Sequence, residues 1–373
     1  MSLRDFVGSH RGRRLRFPAG IAVVVAVGAG IAFGGTKPST TDLQTGPIAV
    51  EARAIAGFDR LKRDATRFGK LTWRGGLILT SSSKHFGGWS GLAIDADGKG
   101  FFAVSDAGTW MSGAISYDDK GLPQGLASVR LGAIQSKDGD PLSRSRDRDA
   151  EGLALLNGTT QKGAVLVSFE RKHRVTRFDV DAGGLSPARG KISLPASADG
   201  MSANGGIEAI AVIRGGPNKE ALVAFSERMR DDEGNHIGWI WESEDRPRKF
   251  YLTNDGDFDV TDAAPLPDGG LLVLERRFRL SEGVRMRLRL IKQQQLRARE
   301  TIDAETLVAA DGSSEIDNME GLATHVAPSG EIIVTMISDD NFNHGLQRTV
   351  LLQFALSAGD IAASDESLKA ARP

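Results

Sequence analysis

The feature that most constrains the fold is a pattern that recurs five times along the body of the chain. Each copy begins with a short apolar strand, continues with a second strand after a turn, and adds a third strand of alternating polarity. The copies begin at residues 90, 151, 208, 262 and 320, which are 61, 57, 54 and 58 residues apart. A fourth strand follows in the first four copies. Four strands per repeat form the unit of a β-propeller blade, and such a sheet buries its faces only against neighbouring blades.

The repeat therefore predicts an all-β fold, a β-propeller of four-stranded blades in which five blades can be counted. The fifth copy lacks its fourth strand, whereas the strand-like residues 70–82 belong to no copy. We expect this N-terminal strand to close the ring, because closure removes an open sheet edge. Residues 49–55 also resemble a strand, so six blades are not excluded. A two-sheet sandwich is the alternative, and it accounts for the alternating strands but not for the period.

Composition limits the classes of function. The formal net charge of the 373 residues is −1, so there is no basic field to attract nucleic acid, and we expect no nucleic-acid partner. Cysteine is absent, which excludes disulfides, a thiol nucleophile and a cysteine metal site. We expect the protein to be a monomer that binds a small anionic or ester substrate.

The N-terminus predicts export. Four arginines between residues 11 and 16 precede an uncharged run over residues 17–36. A basic flank before an apolar run is typical of a signal peptide or a membrane anchor, and it places the rest of the chain outside the cytoplasm. We therefore expect a periplasmic or extracellular protein, held at the inner membrane if the segment is not cleaved. The predicted division is a signal or anchor (1–36), a polar linker without site residues (37–48), the propeller domain (49–360) and a C-terminal tail (361–373).

Acidic residues recur at two places in the repeat. The first and second strands of a blade are antiparallel, so the start of the first lies beside the end of the second. The acids that open first strands are Glu151, Glu208, Asp262 and Glu320. The acids that close second strands are Asp106, Glu170, Glu227, Glu275 and Asp339. The first strands of a propeller line its central channel, so all nine acids should lie at one mouth of this channel. Carboxylates there repel one another unless a positive charge lies among them. They predict a site for a hard cation, Ca²⁺ or Mg²⁺.

Basic residues and one histidine accompany these acids. Arg171, Arg228 and Arg276 directly follow second-strand acids and are expected to bind an anionic substrate. His173 follows in the same loop as Arg171 and is the one candidate for a catalytic side chain, because the motif G-x-S-x-G of serine esterases is absent. The structural alternative is that each acid ties a turn or forms a solvated ion pair with the next arginine.

The repeated phrases resemble the phytase-like family, described as having the esterase-like activity of phytase. They are SGLAID with FFAVSD, DAEGLALL with VSFERKHRVTRF, GGIEAIAV with VAFSER, and NMEGLATH with ISDDNF. The resemblance runs from about residue 73 to residue 356 and implies a propeller, bacterial export and hydrolysis of phosphate or other esters. The chain departs from the pattern at Ser90, which replaces the first acid, and at Asp262-Ala263, which replaces Glu-Gly.

Residues and resemblance together predict a metal-dependent ester or phosphoester hydrolase with its carboxylate-rich site at the channel mouth. The alternative is a non-catalytic propeller that binds a ligand or protein and uses calcium structurally.

Overall fold

The computed structural model describes residues 35–242, 247–298, 300–357 and 359–361. In this part of the chain, strands dominate and pair into five mainly antiparallel sheets. Helices are few and short among these residues: α1 (Ser145–Arg148), α2 (Gln293–Ala298), a 3₁₀ turn (Ala196–Ala198) and a helical turn at residues 359–361. None of them is long and apolar enough to cross a bilayer. Residues 1–34 of the predicted signal or anchor, and residues 362–373 of the predicted tail, lie outside the described residues.

Four strands precede the first repeat and complete sheets formed later in the chain. They are β1 (Gly46–Pro47), β2 (Glu51–Ala54), β3 (Arg67–Phe68) and β4 (Leu71–Thr80). The first blade consists of β5 (Trp89–Ile94), β6 (Gly100–Ser105), β7 (Thr109–Tyr117) and β8 (Pro123–Ala133). Strand β1 pairs with the outer edge of β8, so part of the predicted linker belongs to this blade.

The second and third blades follow without interruption from other sheets. The second contains β9 (Ala150–Gly158), β10 (Gly163–Phe169), β11 (Arg174–Asp181), β12 (Gly184–Leu185) and β13 (Gly190–Ile192). Both short strands β12 and β13 pair with β11 and share the outer position. The third contains β14 (Ile207–Val212), β15 (Leu222–Arg230), β16 (His236–Trp241) and β17 (Arg248–Leu252).

The last two blades complete the ring. The fourth contains β18 (Asp259–Pro265), β19 (Leu271–Arg279), β20 (Gly283–Ile291) and β22 (Glu305–Ala310), while β21 (Thr301–Ile302) pairs in parallel with β17 of the third blade. The fifth contains β23 (Asn318–Val326), β24 (Ile332–Asp339) and β25 (Thr349–Leu356). Its fourth strand is β4, antiparallel to β25, with β2 and β3 on the outer side of β4.

Hydrophobic packing between blades holds the ring together. The core divides into five clusters, and each cluster joins residues of two neighbouring blades. The cluster that contains Leu77, Leu92 and Ala323 joins the fifth blade to the first and so closes the ring. Strands β5 and β14 are buried at every position because each face contacts a different blade. The prediction of a five-bladed propeller closed by an N-terminal strand is confirmed. Residues 49–55 contribute β2 to the fifth blade and do not form a sixth.

Candidate functional site

Strand register brings the two sets of acids to one end of the propeller. Ala150 pairs with Phe169, which places Glu151 beside Glu170, the relation on which the predicted site depends. Equivalent pairs occur in other blades, namely Trp89 with Ser105, Ile207 with Ser226, and Met319 with Ser338. The channel mouth at this end, formed by the starts of the first strands and the ends of the second strands, is the candidate site.

A β-bulge at the start of the first strand sets which residue of each blade faces the mouth. The register shifts between residues 89 and 91, 207 and 209, 260 and 262, and 319 and 321. The residue inside the shift is Ser90, Glu208, Thr261 or Glu320, and a bulge turns such a side chain out of the regular alternation. In the fourth blade, the equivalent positions therefore hold Thr261 and Arg276, each one residue away from the predicted acids.

Two of the predicted ligands, Asp262 and Glu275, consequently lie inside the fold and not at the mouth. Asp262 is fully buried and accepts hydrogen bonds from the backbone N–H of Ala263 (2.8 Å) and of Leu322 (2.7 Å) in the fifth blade. Glu275 is also fully buried, and it pairs with Arg287 and with Arg289 (3.2 Å). Each oxygen of both carboxylates has a partner within the fold, so their contacts are structural.

Five carboxylates form two overlapping groups in the mouth. Asp149, Glu151 and Glu170 have ligand atoms within 4.8 Å of one another, and so do Glu170, Glu208 and Glu227. Glu170 belongs to both groups. Two oxygens bound to one Ca²⁺ at about 2.3–2.6 Å can lie at most about 5 Å apart, so each group fits a single cation.

The two groups differ in their other partners. Asp149 pairs with Lys37 (3.1 Å) and with Arg171. Glu227 pairs with Arg228 (3.0 Å), and Glu170 accepts a hydrogen bond from the backbone N–H of Gly206 (3.4 Å). Within the described part of the chain, no group donates a hydrogen bond to Glu151 or Glu208, although Glu208 is only 8% exposed. A buried carboxylate, Glu208, and a half-buried one, Glu151, both without donors, fit a cation, because burial without a partner is otherwise costly.

The remaining predicted ligands lie around this centre. Asp106 binds Lys37 through one oxygen (2.7 Å), and its other oxygen is buried without a partner among the described residues. Glu320 pairs with Arg276 (3.0 Å). Asp339 accepts a hydrogen bond from the backbone N–H of Asn341 (2.6 Å).

Burial dominates the protonation of these carboxyls. Burial, together with the neighbouring carboxylates Glu227 and Asp149, raises the pKa of Glu170 to about 7. Burial also raises the pKa of Glu320 to about 7, although Arg276 acts in the opposite direction. Burial and the surrounding acids raise the pKa values of Glu151 and Glu208 well above their ordinary range. Without a cation, the mouth therefore holds protons at neutral pH.

The three arginines predicted to bind substrate all reach the mouth, but they differ in accessibility. The side chains of Arg171 and Arg228 are 42% and 30% exposed, so each can contact a ligand while it pairs with an acid. Arg276 occupies the second-strand position at which Asp106, Glu227 and Asp339 stand in other blades, and its guanidinium is held by Glu320. Arg276 thus places a positive charge within the ring of acids.

His173 lies beside the site and outside the two carboxylate groups. Its Nε2 is 3.0 Å from the carbonyl oxygen of Ser202. Its ring also approaches Gly206, the residue whose N–H bonds Glu170, so closely that a Cβ at Gly206 would collide with Nδ1. Burial lowers the pKa of His173, which favours the neutral imidazole. A catalytic role for His173 stays a prediction.

The sequence patterns did not point to two residues of the mouth, Asp149 and Lys37. Asp149 belongs to the charged loop before β9, and its only signal was its place two residues before Glu151. Arg148 is buried in the same loop and donates to the carbonyl oxygen of Pro38 (2.6 Å). Lys37 lies in the predicted linker, and no repeat or motif marks it.

Comparison with known protein families shows to which family the chain belongs. The family model described as phytase-like, esterase-like activity of phytase, matches residues 84–342. The chain belongs to the phytase-like family. The matched residues begin just before β5 and end just after β24, so they include every first and second strand of the phytase-like propeller and both carboxylate groups. The resemblance carried by the repeated phrases is confirmed. No curated protein matches the chain.

Proposed function

We propose that this phytase-like propeller is a metal-dependent hydrolase of ester or phosphoester bonds. The observation that carries the proposal is the pair of carboxylate groups joined by Glu170, in which Glu151 and Glu208 have no hydrogen-bond donor among the described residues. A hard divalent cation, Ca²⁺ or Mg²⁺, is the partner that such oxygen ligands suit. When bound, the cation would polarise an ester or phosphoryl oxygen and make a coordinated water more acidic.

The side chains of the mouth supply complementary parts of this chemistry. Asp149, Glu151, Glu170, Glu208 and Glu227 would hold the cation. Arg171 and Arg228 would bind the charged group of the substrate, because guanidinium binds phosphate and carboxylate in a bidentate manner. Asp106 and Glu320 lie around this centre, and each is paired with a cation, Lys37 and Arg276 respectively.

Hydrolysis is tested with purified protein and generic substrates. Nitrophenyl phosphate and nitrophenyl acetate are assayed with Ca²⁺, with Mg²⁺ and with a chelator. We expect turnover that requires the cation and is lost in Glu170→Gln, with no change in Glu51→Gln, which alters an exposed glutamate on the outer strand β2. No turnover with either metal on either substrate would refute the hydrolase.

A second function is favoured by the way charges link the blades. Arg276 of the fourth blade pairs with Glu320 of the fifth, and Glu170 of the second accepts from Gly206 at the start of the third. A cation on Glu170 and Glu208 would likewise join the second blade to the third. The protein would then be a non-catalytic propeller that binds a ligand or protein and is stabilised by calcium. A chelator that lowers the melting temperature while no ester is hydrolysed would support this function.

We also propose that the protein is a monomer that lies outside the cytoplasm. The proposed location rests on the basic and apolar residues 1–36. Cell fractionation and N-terminal sequencing of the mature protein test it, and a protein recovered only from the cytoplasm with residue 1 intact would contradict it.

A further inference from the structure

A short segment before the first blade crosses the channel mouth. Residues 35–40, here called the strap, carry Lys37 to the carboxylates. Its ammonium lies 2.7 Å from Asp106 Oδ2 and 3.1 Å from Asp149 Oδ1. Asp149 lies 112 residues further along the chain, so the contact is tertiary and joins the strap to the first and second blades.

The strap is fixed on both sides of Lys37. Before it, the N–H of Gly35 donates to the carbonyl oxygen of Asn341 (2.8 Å), and a Cβ on Gly35 would collide with Phe342. After it, Arg148 donates to the carbonyl oxygen of Pro38 (2.6 Å). The buried hydroxyl of Thr40 then donates to Leu142 (2.9 Å). The fixed backbone of the strap thus positions the ammonium of Lys37. Its ion pairs therefore differ from those of a mobile side chain on the surface.

The ammonium of Lys37 pairs with a member of one carboxylate group, Asp149, and so distinguishes that group from the other. The group of Asp149, Glu151 and Glu170 has two cations on Asp149, those of Lys37 and Arg171. In the group of Glu170, Glu208 and Glu227, the neighbouring cations are Arg228, which pairs with Glu227, and Arg230 and Arg276, which lie near Glu227. Glu208, which is 8% exposed and has no donor among the described residues, belongs only to the second group. The second group therefore retains Glu208, whose carboxylate is free to bind a cation.

We propose that Lys37 is a built-in cation that closes the Asp149 group to metal and confines the divalent cation to Glu170, Glu208 and Glu227. The inference rests on the proposed metal binding and adds its stoichiometry and place. The mouth takes one divalent cation, and the ammonium occupies the position that a second cation would have.

Removal of the ammonium should open the second position. In Lys37→Met, Asp106 and Asp149 lose their shared partner, and Asp106 already has one buried oxygen without a donor. Asp149 and Glu151 then present oxygen ligands beside Asp106, and Arg171 and Arg148 are the cations that remain near them among the described residues. Such a set attracts a divalent cation for the same reason as Glu170, Glu208 and Glu227 do.

Calorimetric titration of the full chain with Ca²⁺ tests the inference. We expect one bound cation for the wild type and for Lys37→Arg, which keeps the charge, and two for Lys37→Met. Glu208→Gln should lose the site in the wild-type background and keep one site in the Lys37→Met background.

The outcomes separate the two proposals. If the wild type binds no calcium and Lys37→Met binds none, the proposed metal binding itself fails. If the wild type binds one cation and Lys37→Met also binds one, the metal site stands and the role of Lys37 is wrong. Two cations in the wild type, or binding that appears only in Lys37→Met, would likewise overturn the assignment of Lys37.

Discussion

Replacement of Glu170 by glutamine should stabilise the metal-free protein while it removes the response to calcium. Glu170 lies within 4.8 Å of carboxylates in both groups. One ionised pair at that distance repels by about 3.5 kcal/mol at an effective dielectric constant of about 20. Because the pKa of Glu170 is about 7, its carboxylate is mostly ionised at pH 8. Glu170→Gln should therefore raise the free energy of unfolding at pH 8 in chelator by about 1–3 kcal/mol.

Calcium should reverse the order of the two proteins. At a calcium concentration a hundred times the dissociation constant, the wild type gains about 2.7 kcal/mol. The binding free energy lost with one charged ligand is comparable to the energy of one ionised pair, about 3.5 kcal/mol. The affinity of Glu170→Gln for calcium is therefore lower at least about a hundredfold. Glu170→Gln would then gain only about 0.4 kcal/mol at the same concentration. Thermal and urea unfolding at pH 8, with calcium and with chelator, measure both effects.

The matched control is the same change in the fourth blade. Glu275→Gln leaves Arg287 and Arg289 without their buried partner, so it should lower stability by about 3–5 kcal/mol. The increment produced by calcium should equal that of the wild type. A Glu170→Gln protein that is less stable in chelator and keeps the full calcium increment would refute the reasoning.

Three further predictions follow from the same contacts. The pKa of Glu320 is raised from 4.5 to about 7 in the folded protein, so the folded protein binds this proton more tightly than the unfolded chain does. The stability that this proton contributes is therefore lost as the pH rises from about 4.5 to about 7. In chelator, Glu320→Gln should therefore gain about 2–3 kcal/mol relative to the wild type between pH 5 and pH 8, and a difference independent of pH would contradict this. Arg228→Ala should raise KM for the phosphate ester about tenfold and leave that for the uncharged acetate unchanged, because a charge-assisted hydrogen bond is lost; equal effects on both esters would argue against an anion site. Gly152→Ala should cost about 1–3 kcal/mol in urea unfolding, because its Cβ would meet Ile210 and Ser168, whereas Gly190→Ala, with open space, should cost less than about 1 kcal/mol. Equal costs at the two glycines would show that the first strands of the second and third blades are not in close contact.

The blades could be predicted from the sequence because the pairing within a blade is local. Successive strands are joined by short turns, so the period of the repeat and the alternation within strands suffice to place them. Even closure by β4 followed from the missing strand of the fifth copy. The same locality placed Glu151 beside Glu170.

The fourth blade shows where this reasoning stops. DAAPLP resembles the start of the other copies, but the bulge lies at Thr261, so Asp262 is one residue too far along to face the mouth. It stands where Gly91, Gly152 and Gly321 stand in other blades, positions that contact the next first strand. A bulge changes register by one residue and leaves little trace in an apolar pattern.

Lys37 and Asp149 could not be found from the repeat because neither belongs to it. They reach the mouth by tertiary contacts of the strap and of the loop before β9. Ion pairs between segments so far apart depend on the finished ring, and only the charged character of the two segments is visible in the sequence.

A crystal structure of the wild-type protein grown with Ca²⁺ tests the central claim most directly. We expect one calcium ion bound by Glu170, Glu208 and Glu227, with the ammonium of Lys37 still on Asp106 and Asp149. A mouth without calcium in crystals grown at millimolar concentration, or a calcium ion bound elsewhere on the propeller, would contradict the account.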